Sequence, residues 1–153
     1  MAIGQFFSQR FGYAVHAMAF VARKPAGELT TLPELAEWMR SIWPRSSDSY
    51  LSTVVQQLTR AKLLRSQRGI AGGYSLAKAA SDITLRDLVE LLEGVDQNRC
   101  GLSLEDRCPV QTRCSIQRRL RRLEDVYLKA LEEVTIDELA QDIVVQIPHR
   151  KSE

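Results

Sequence analysis

Three cysteines, Cys100, Cys108 and Cys114, fall within the fifteen residues 100–114 of a 153-residue chain, with gaps of seven and five residues between them. Their odd number argues against a disulfide framework and directs attention to metal or redox chemistry. Structural zinc sites bring cysteines together in pairs two to four residues apart, and this sequence holds no such pair. Wider gaps suit a larger ligand such as an iron-sulfur cluster, whose thiolate positions spread over several ångströms. Pro109, directly after Cys108, restricts the intervening loop. Cys114 falls at the predicted start of a long helix, where the macrodipole favours a negatively charged sulfur. Arg107, Arg113, Arg118 and Arg119 add positive charge around an anionic centre, although arginines at a helix N-terminus oppose the dipole and some can pair with Glu124 or Asp125. On the residues alone three chemistries stay open: an iron-sulfur cluster, zinc, and cluster-free redox-active thiols. A thiol-dependent enzyme finds no support, because there is no CxxC pair and no Cys-His-Asp order.

A second chemical feature emerges when the formal net charge of +2 is divided along the chain. From Ser49 to Ser81 there is no Asp or Glu, while Arg60, Lys62, Arg65, Arg68 and Lys78 give that segment a charge of +5. A cationic strip in a nearly neutral protein is the footprint of a polyanion site, since phosphate contacts release counterions and dominate nucleic-acid affinity. The alternative is a solvated basic face.

The elements that must position these residues follow from periodicity. Apolar residues at Phe7, Phe11, Ala14, Val15, Met18 and Val21 predict a first helix from about Phe6 to Arg23, ended by Pro25 and Gly27. Thr31-Leu-Pro-Glu34 reads as a capping box opening a second helix with Leu35, Trp38 and Met39 inside. After a turn through Trp43, Pro44 and Arg45, one of Ser46, Ser47 or Asp48 caps a third helix running to about Arg60, with Tyr50, Leu51, Val54, Val55 and Leu58 buried. The period then turns alternating at Leu64, Ser66 and Arg68, and again at Tyr74 and Leu76, around Gly69, Gly72 and Gly73, which are expected to supply positive φ and close approach. Thr84-Leu-Arg-Asp87 opens a short helix ending near Gly94. Between Asp96 and Arg113 the periodicity disappears, leaving a loop long enough to be functional. A long helix follows from about Cys114 to Val134, with Ile116, Leu120, Leu123, Tyr127, Ala130, Leu131 and Val134 on one stripe. No other element is long enough to cover that stripe, so a homodimer with this helix paired to its copy is expected. Thr135-Ile-Asp-Glu138 is a further capping box, opening a last helix that ends before Pro148.

Helix, turn, helix and basic hairpin, in that order, define a mainly α fold: a winged helix-turn-helix with a two-stranded wing and a long C-terminal dimerisation helix. The partner implied is double-stranded DNA. Exposed residues at the start of the second helix of such a motif reach base edges, and here these are Ser49, Ser52, Thr53 and Gln56. Only Gln56 can make a bidentate contact, with adenine. Arg60 and Arg68 are candidate phosphate or minor-groove contacts, with Gly69, Gly72 and Gly73 letting the wing come close.

A hydrophobic fraction of 44% with 26% charged residues is ordinary for a soluble globular chain. The longest uncharged stretch, Phe11 to Ala22, is too short for a bilayer span. No early positive charge or cleavage site marks a secretory signal, so no membrane association and a cytoplasmic location are expected. The expected organisation is a DNA-binding domain at 1–95, a cysteine loop at 96–113, dimerisation helices at 114–147 and a disordered tail at 148–153.

The run from Ser49 to Gly94 resembles the DNA-binding core of the IscR, NsrR and RirA family of bacterial regulators, most specifically in the RG..GGY.L pattern formed by Arg68, Gly69, Gly72, Gly73, Tyr74 and Leu76. GYAVHAM at Gly12–Met18 and the cysteine loop ahead of a long helix are similar as well. This resemblance implies a homodimeric transcription factor, usually a repressor, whose iron-sulfur cluster alters operator affinity in response to iron, nitric oxide or redox state. It implies a cluster, 4Fe-4S ahead of 2Fe-2S, on Cys100, Cys108 and Cys114. For the fourth ligand, Gln117 stands where IscR-like relatives carry a histidine and Gly12 where NsrR-like relatives carry an aspartate. His16 matches a first-helix histidine that some relatives supply from the partner chain; as a lone histidine on an apolar helix it could equally be a core residue. The stretch Ser41–Ser47 is longer than the family's usual turn before the recognition helix.

Overall fold

The computed structural model describes residues 7–94 and 114–143. Cys100 and Cys108, with the whole of the predicted cysteine loop, lie outside the described residues, as does the predicted tail. Helix α1 spans Gln9–Arg23, α2 Leu32–Ile42 and α3 Asp48–Arg60; strands β1 (Leu64–Gln67) and β2 (Gly73–Leu76) follow, then α4 (Leu85–Leu92), α5 (Ser115–Glu132) and α6 (Ile136–Asp142).

Helix α1 is the centre of the molecule rather than an amphipathic surface helix. Phe11, Tyr13, Ala14, Ala17, Met18, Ala19, Phe20 and Val21 are all buried, so the helix is covered on nearly every side. Its start is set by Ser8, whose hydroxyl accepts the N–H of Phe11 at 3.1 Å, two residues beyond the Phe6 expected from periodicity. Helices α3, α4 and α6 pack against it, and its core cluster takes in Leu51, Val54, Leu58, Leu88, Leu131 and Ile136.

Threonine caps set the later elements. Thr31 accepts the N–H of Glu34, but only this half of the expected box forms, because the Glu34 carboxylate pairs with Lys24 instead. Thr84 with Asp87, and Thr135 with Glu138, form complete boxes. These two caps also face each other: Thr84 and Thr135 form an antiparallel bridge, with Leu85 N–H donating to Val134 at 3.0 Å and Ile136 N–H to Ile83 at 2.8 Å. The C-terminal helix is thereby sewn to the start of α4.

The wing is the predicted hairpin, antiparallel with Leu64 opposite Leu76 and Gln67 opposite Gly73. A bridge that periodicity does not reveal joins it to the residue before α2: Thr30 N–H donates to Tyr74 at 2.9 Å, and Tyr74 N–H to Thr30 at 2.8 Å. The glycines act differently from the expectation of positive φ at all three. Only Gly69 has positive φ, at 115°. Gly72 and Gly73 are needed for space, since a Cβ would lie 2.3 Å from the Gln67 carbonyl oxygen and 2.8 Å from that of Thr30, respectively.

Helix α5 divides the single stripe expected of it. Leu131 joins the core and Tyr127 packs against it, whereas Ile116, Leu120 and Leu123 stay 51–68% exposed. Among the described residues the body therefore covers Tyr127 and Leu131 in the second half of the stripe, though Ala130 beside them is exposed, and leaves the first half bare.

Candidate nucleic-acid interface and sensor site

The basic strip forms an unneutralised surface. Arg60, Lys62, Arg65, Arg68 and Lys78 are all exposed, and none is in an ion pair among the described residues. Charges left without carboxylate partners on one short segment are free to meet phosphates.

Helix α3 presents its first turns to solvent. Ser47 caps it by accepting the N–H of Tyr50 at 3.3 Å, and its hydroxyl also lies 3.0 Å from that of Ser49. Ser49, Thr53 and Gln56 are exposed and Ser52 is half-buried. Thr53 spends its hydroxyl proton on the Ser49 carbonyl at 3.1 Å, leaving oxygen lone pairs as its outward function. Gln56 has no hydrogen-bond partner among the described residues, so its amide is fully available. Arg60 lies eleven residues beyond Ser49, roughly 16 Å along the helix at 1.5 Å per residue.

The long turn between α2 and α3 owes its geometry to α1. Tyr13, 2% exposed, meets Trp43 edge-on with ring centroids 5.8 Å apart and Tyr50 likewise at 5.0 Å. Its phenolic oxygen accepts the Ser47 N–H at 2.7 Å. A second tie is ionic, from Arg40 at the end of α2 to Asp48 at the start of α3. Pattern reading passed over Tyr13, because it sits outside the i, i+3, i+4 stripe chosen for α1; the signal that could have found it is a tyrosine on a helix with few polar residues.

One turn after Gly12 on the same helix is His16, which the structure shows exposed rather than packed in the core. Its Nδ1 lies 2.7 Å from the Gly12 carbonyl oxygen. A carbonyl can only accept, so Nδ1 is the donor, and in the neutral ring the lone pair is on Nε2, the arrangement seen in metal-ligating histidines. The ring borders an open cleft of about 410 Å3, largely apolar, with Tyr13, Met39, Ile42 and Trp43 among its walls. Gly12 lines it too, and a Cβ there would meet nothing within 4 Å, so the glycine keeps the space beside His16 open.

Cys114, half-buried, is the N-cap of α5, its Sγ accepting the N–H of Gln117 at 3.4 Å. It stands at the head of the bare half of the α5 stripe. Among the described residues no three His, Cys, Asp or Glu side chains gather into a metal-binding group. Cys100 and Cys108, the remaining predicted ligands, lie outside those residues.

A two-stranded wing beside a helix-turn-helix, with free cations along both, defines the class of winged helix-turn-helix DNA-binding proteins. Within it, the chain belongs to the Rrf2 family, described as iron-dependent transcriptional regulators, whose model matches residues 7–142. It is a transcriptional regulator and not an enzyme. Protein aau3 of Rhizobium meliloti is 30% identical over 135 residues, covering 88% of this chain and 84% of that one. The structure is similar to that of CymR (YrzC), the global cysteine regulator of B. subtilis, at 28% identity and TM-score 0.67, covering 90% of this chain and 98% of the other. It is also similar to T. potens IscR, at 25% identity and TM-score 0.67, covering 96% and 95%. No helix among the described residues is long and apolar enough to cross a membrane.

Proposed function

We propose that this regulator is a cytoplasmic homodimeric repressor that senses iron, nitric oxide or redox state through an iron-sulfur cluster held by Cys100, Cys108 and Cys114 of one chain and His16 of the other. The observation that carries the sensor reading is the state of His16: exposed, with Nδ1 held by the Gly12 carbonyl and Nε2 free at an open cleft. The donor set, soft thiolates with one imidazole, fits iron-sulfur ligation. A cluster bound there supplies a redox-active, iron-labile centre.

The chain's own residues supply the connection to DNA. His16 and Tyr13 lie on one rigid helix, and Tyr13 fastens the cap of α3. A pull on α1 at His16 is therefore felt at the N-terminus of the reading helix. The bare stripe of Ile116, Leu120 and Leu123 supports self-pairing of α5, which would set the spacing of two reading helices in an operator. In the operator complex, α3 contacts base edges with Ser49, Ser52, Thr53 and Gln56. Arg60, Arg68 and the glycines of the wing meet the backbone and minor groove.

Anaerobic purification followed by iron, sulfide and zinc analysis with a visible spectrum tests this reading. Coloured protein with iron and acid-labile sulfide in equal amounts is the expected result. Colourless protein that stays so after reconstitution contradicts it. The likeness to CymR favours a second reading, the same fold with cluster-free thiols as the sensor, for which metal-free protein retaining thiol-dependent DNA binding is the expected result.

A further inference from the structure

The wing tip carries a bulky side chain at one position. From Gly69 to Gly73 the sequence is Gly-Ile-Ala-Gly-Gly, so Ile70 carries the one side chain larger than methyl. That side chain is wholly exposed, at 112% of its reference accessibility, and belongs neither to the core nor to the residues packed against it. A β-branched residue is stiff and favours extended, half-buried surfaces, so nothing in the fold of this turn calls for isoleucine. A solitary exposed apolar residue is ordinary on a protein surface; position distinguishes this one. It projects from the end of a basic hairpin, two residues after Arg68, on a turn closed by Gly72 N–H donating to Gly69 at 3.0 Å. The absence of a β-carbon at Gly72 is obligatory, given the carbonyls of Gln67 and Gly69 within 3 Å of where it would be. Such a turn puts a single bulky side chain, that of Ile70, at the end of the hairpin, and one aliphatic side chain is narrow enough for a minor groove about 6 Å wide.

We infer that Ile70 reads the minor groove, selecting A·T over G·C pairs where the wing enters DNA. A guanine presents its 2-amino group there, while an A·T pair presents only acceptors and no protruding group. An aliphatic side chain cannot accept from that amino group and would strip it of water, at a cost in binding. Over A·T pairs the same side chain packs against sugar walls, as apolar residues of minor-groove proteins do. Arg68 and Ile70 thus divide the work: the guanidinium supplies attraction to the narrow groove, and the isoleucine supplies the choice of base pair. This rests on the wing contacting DNA, and the experiment separates the two ideas.

Full-length protein is used to select tight duplexes from a random-sequence pool, and hydroxyl-radical footprinting locates the minor-groove positions protected by the wing. At those positions A·T is replaced by G·C and by inosine·C, which has the major-groove face of G·C but lacks the 2-amino group. Wild-type protein is expected to bind the G·C duplex about ten-fold more weakly and the inosine duplex within about two-fold of A·T. Ile70→Ala, at a site without packing contacts, should keep the wild-type unfolding midpoint and lose the G·C penalty to within about two-fold. Arg68→Ala should weaken binding to all three duplexes alike. An undiminished penalty in Ile70→Ala, an inosine duplex that binds as poorly as G·C, or tight binding without a wing footprint would overturn the inference while leaving DNA binding intact. Failure of the wild-type protein to select any duplex would remove the DNA-binding reading and this inference with it.

Discussion

The phenolic oxygen of Tyr13 accepts the backbone N–H of Ser47 at 2.7 Å, so the residue that caps the reading helix is fastened to the central helix of the protein. Tyr13 also lines the cleft that His16 borders, so one buried tyrosine touches both the sensor candidate's cleft and the cap of the reading helix.

Tyr13→Phe keeps the ring packing on Trp43 and Tyr50 but removes the acceptor. The expected loss of stability is about 1 kcal/mol, the usual net worth of one hydrogen bond. Urea unfolding measures it, and fluorescence anisotropy should show DNA affinity falling while the far-UV spectrum stays unchanged. Wild-type affinity in Tyr13→Phe would mean that the bond does not position α3.

The paired caps give a second prediction. Thr84→Ala and Thr135→Ala should each cost about 1 kcal/mol, as lost N-caps do. Because the two residues form one bridge, their double-mutant cycle should depart from additivity, by about 0.5 kcal/mol or more. Additive losses would indicate that the caps act separately.

Much of this framework was legible in the sequence because it depends on local signals. The threonine caps, the switch from helical to alternating period after Arg60 and the apolar faces of α2 and α3 each need only a few neighbouring residues. What was hidden depends on tertiary context. Tyr13 lies outside the stripe because α1 is buried on nearly every side and has no single inner face. The Thr30 bridge is one residue long and leaves no period. The α5 stripe looks continuous in the sequence, but where the protein body stops covering it is set by packing against α4. At the candidate sensor site the residue types are readable, whereas the exposure of His16 and the donor role of its Nδ1 require coordinates.

The bare half of α5 predicts a change of assembly. Leu120→Glu or Leu123→Glu places a charge in the apolar stripe; the proposed α5-paired dimer should be the wild-type species in analytical ultracentrifugation and monomer the species of either variant, with the unfolding cooperativity of the monomer preserved. Variants that sediment like the wild-type protein would exclude α5 pairing.

Tyr127 gives the molecule a dependence on alkaline pH. Burial first, and the nearby Glu93 carboxylate second, raise its phenol above the ordinary value of 10.0. A raised folded-state value means stability that is fully present below pH 10 and lost as pH climbs through the folded value. Thermal unfolding of the wild-type protein should therefore fall more steeply above pH 10 than that of Tyr127→Phe. Parallel curves would remove Tyr127 as the cause.

The central claim, that a cysteine-histidine centre governs DNA binding, is tested most directly by titrating one selected duplex with the same anaerobic preparation before and after chelation of its iron. The account predicts a change in Kd of about ten-fold or more, within the range usual for allosteric coupling, and its disappearance in His16→Ala. Equal affinity of iron-loaded and stripped wild-type protein would contradict it.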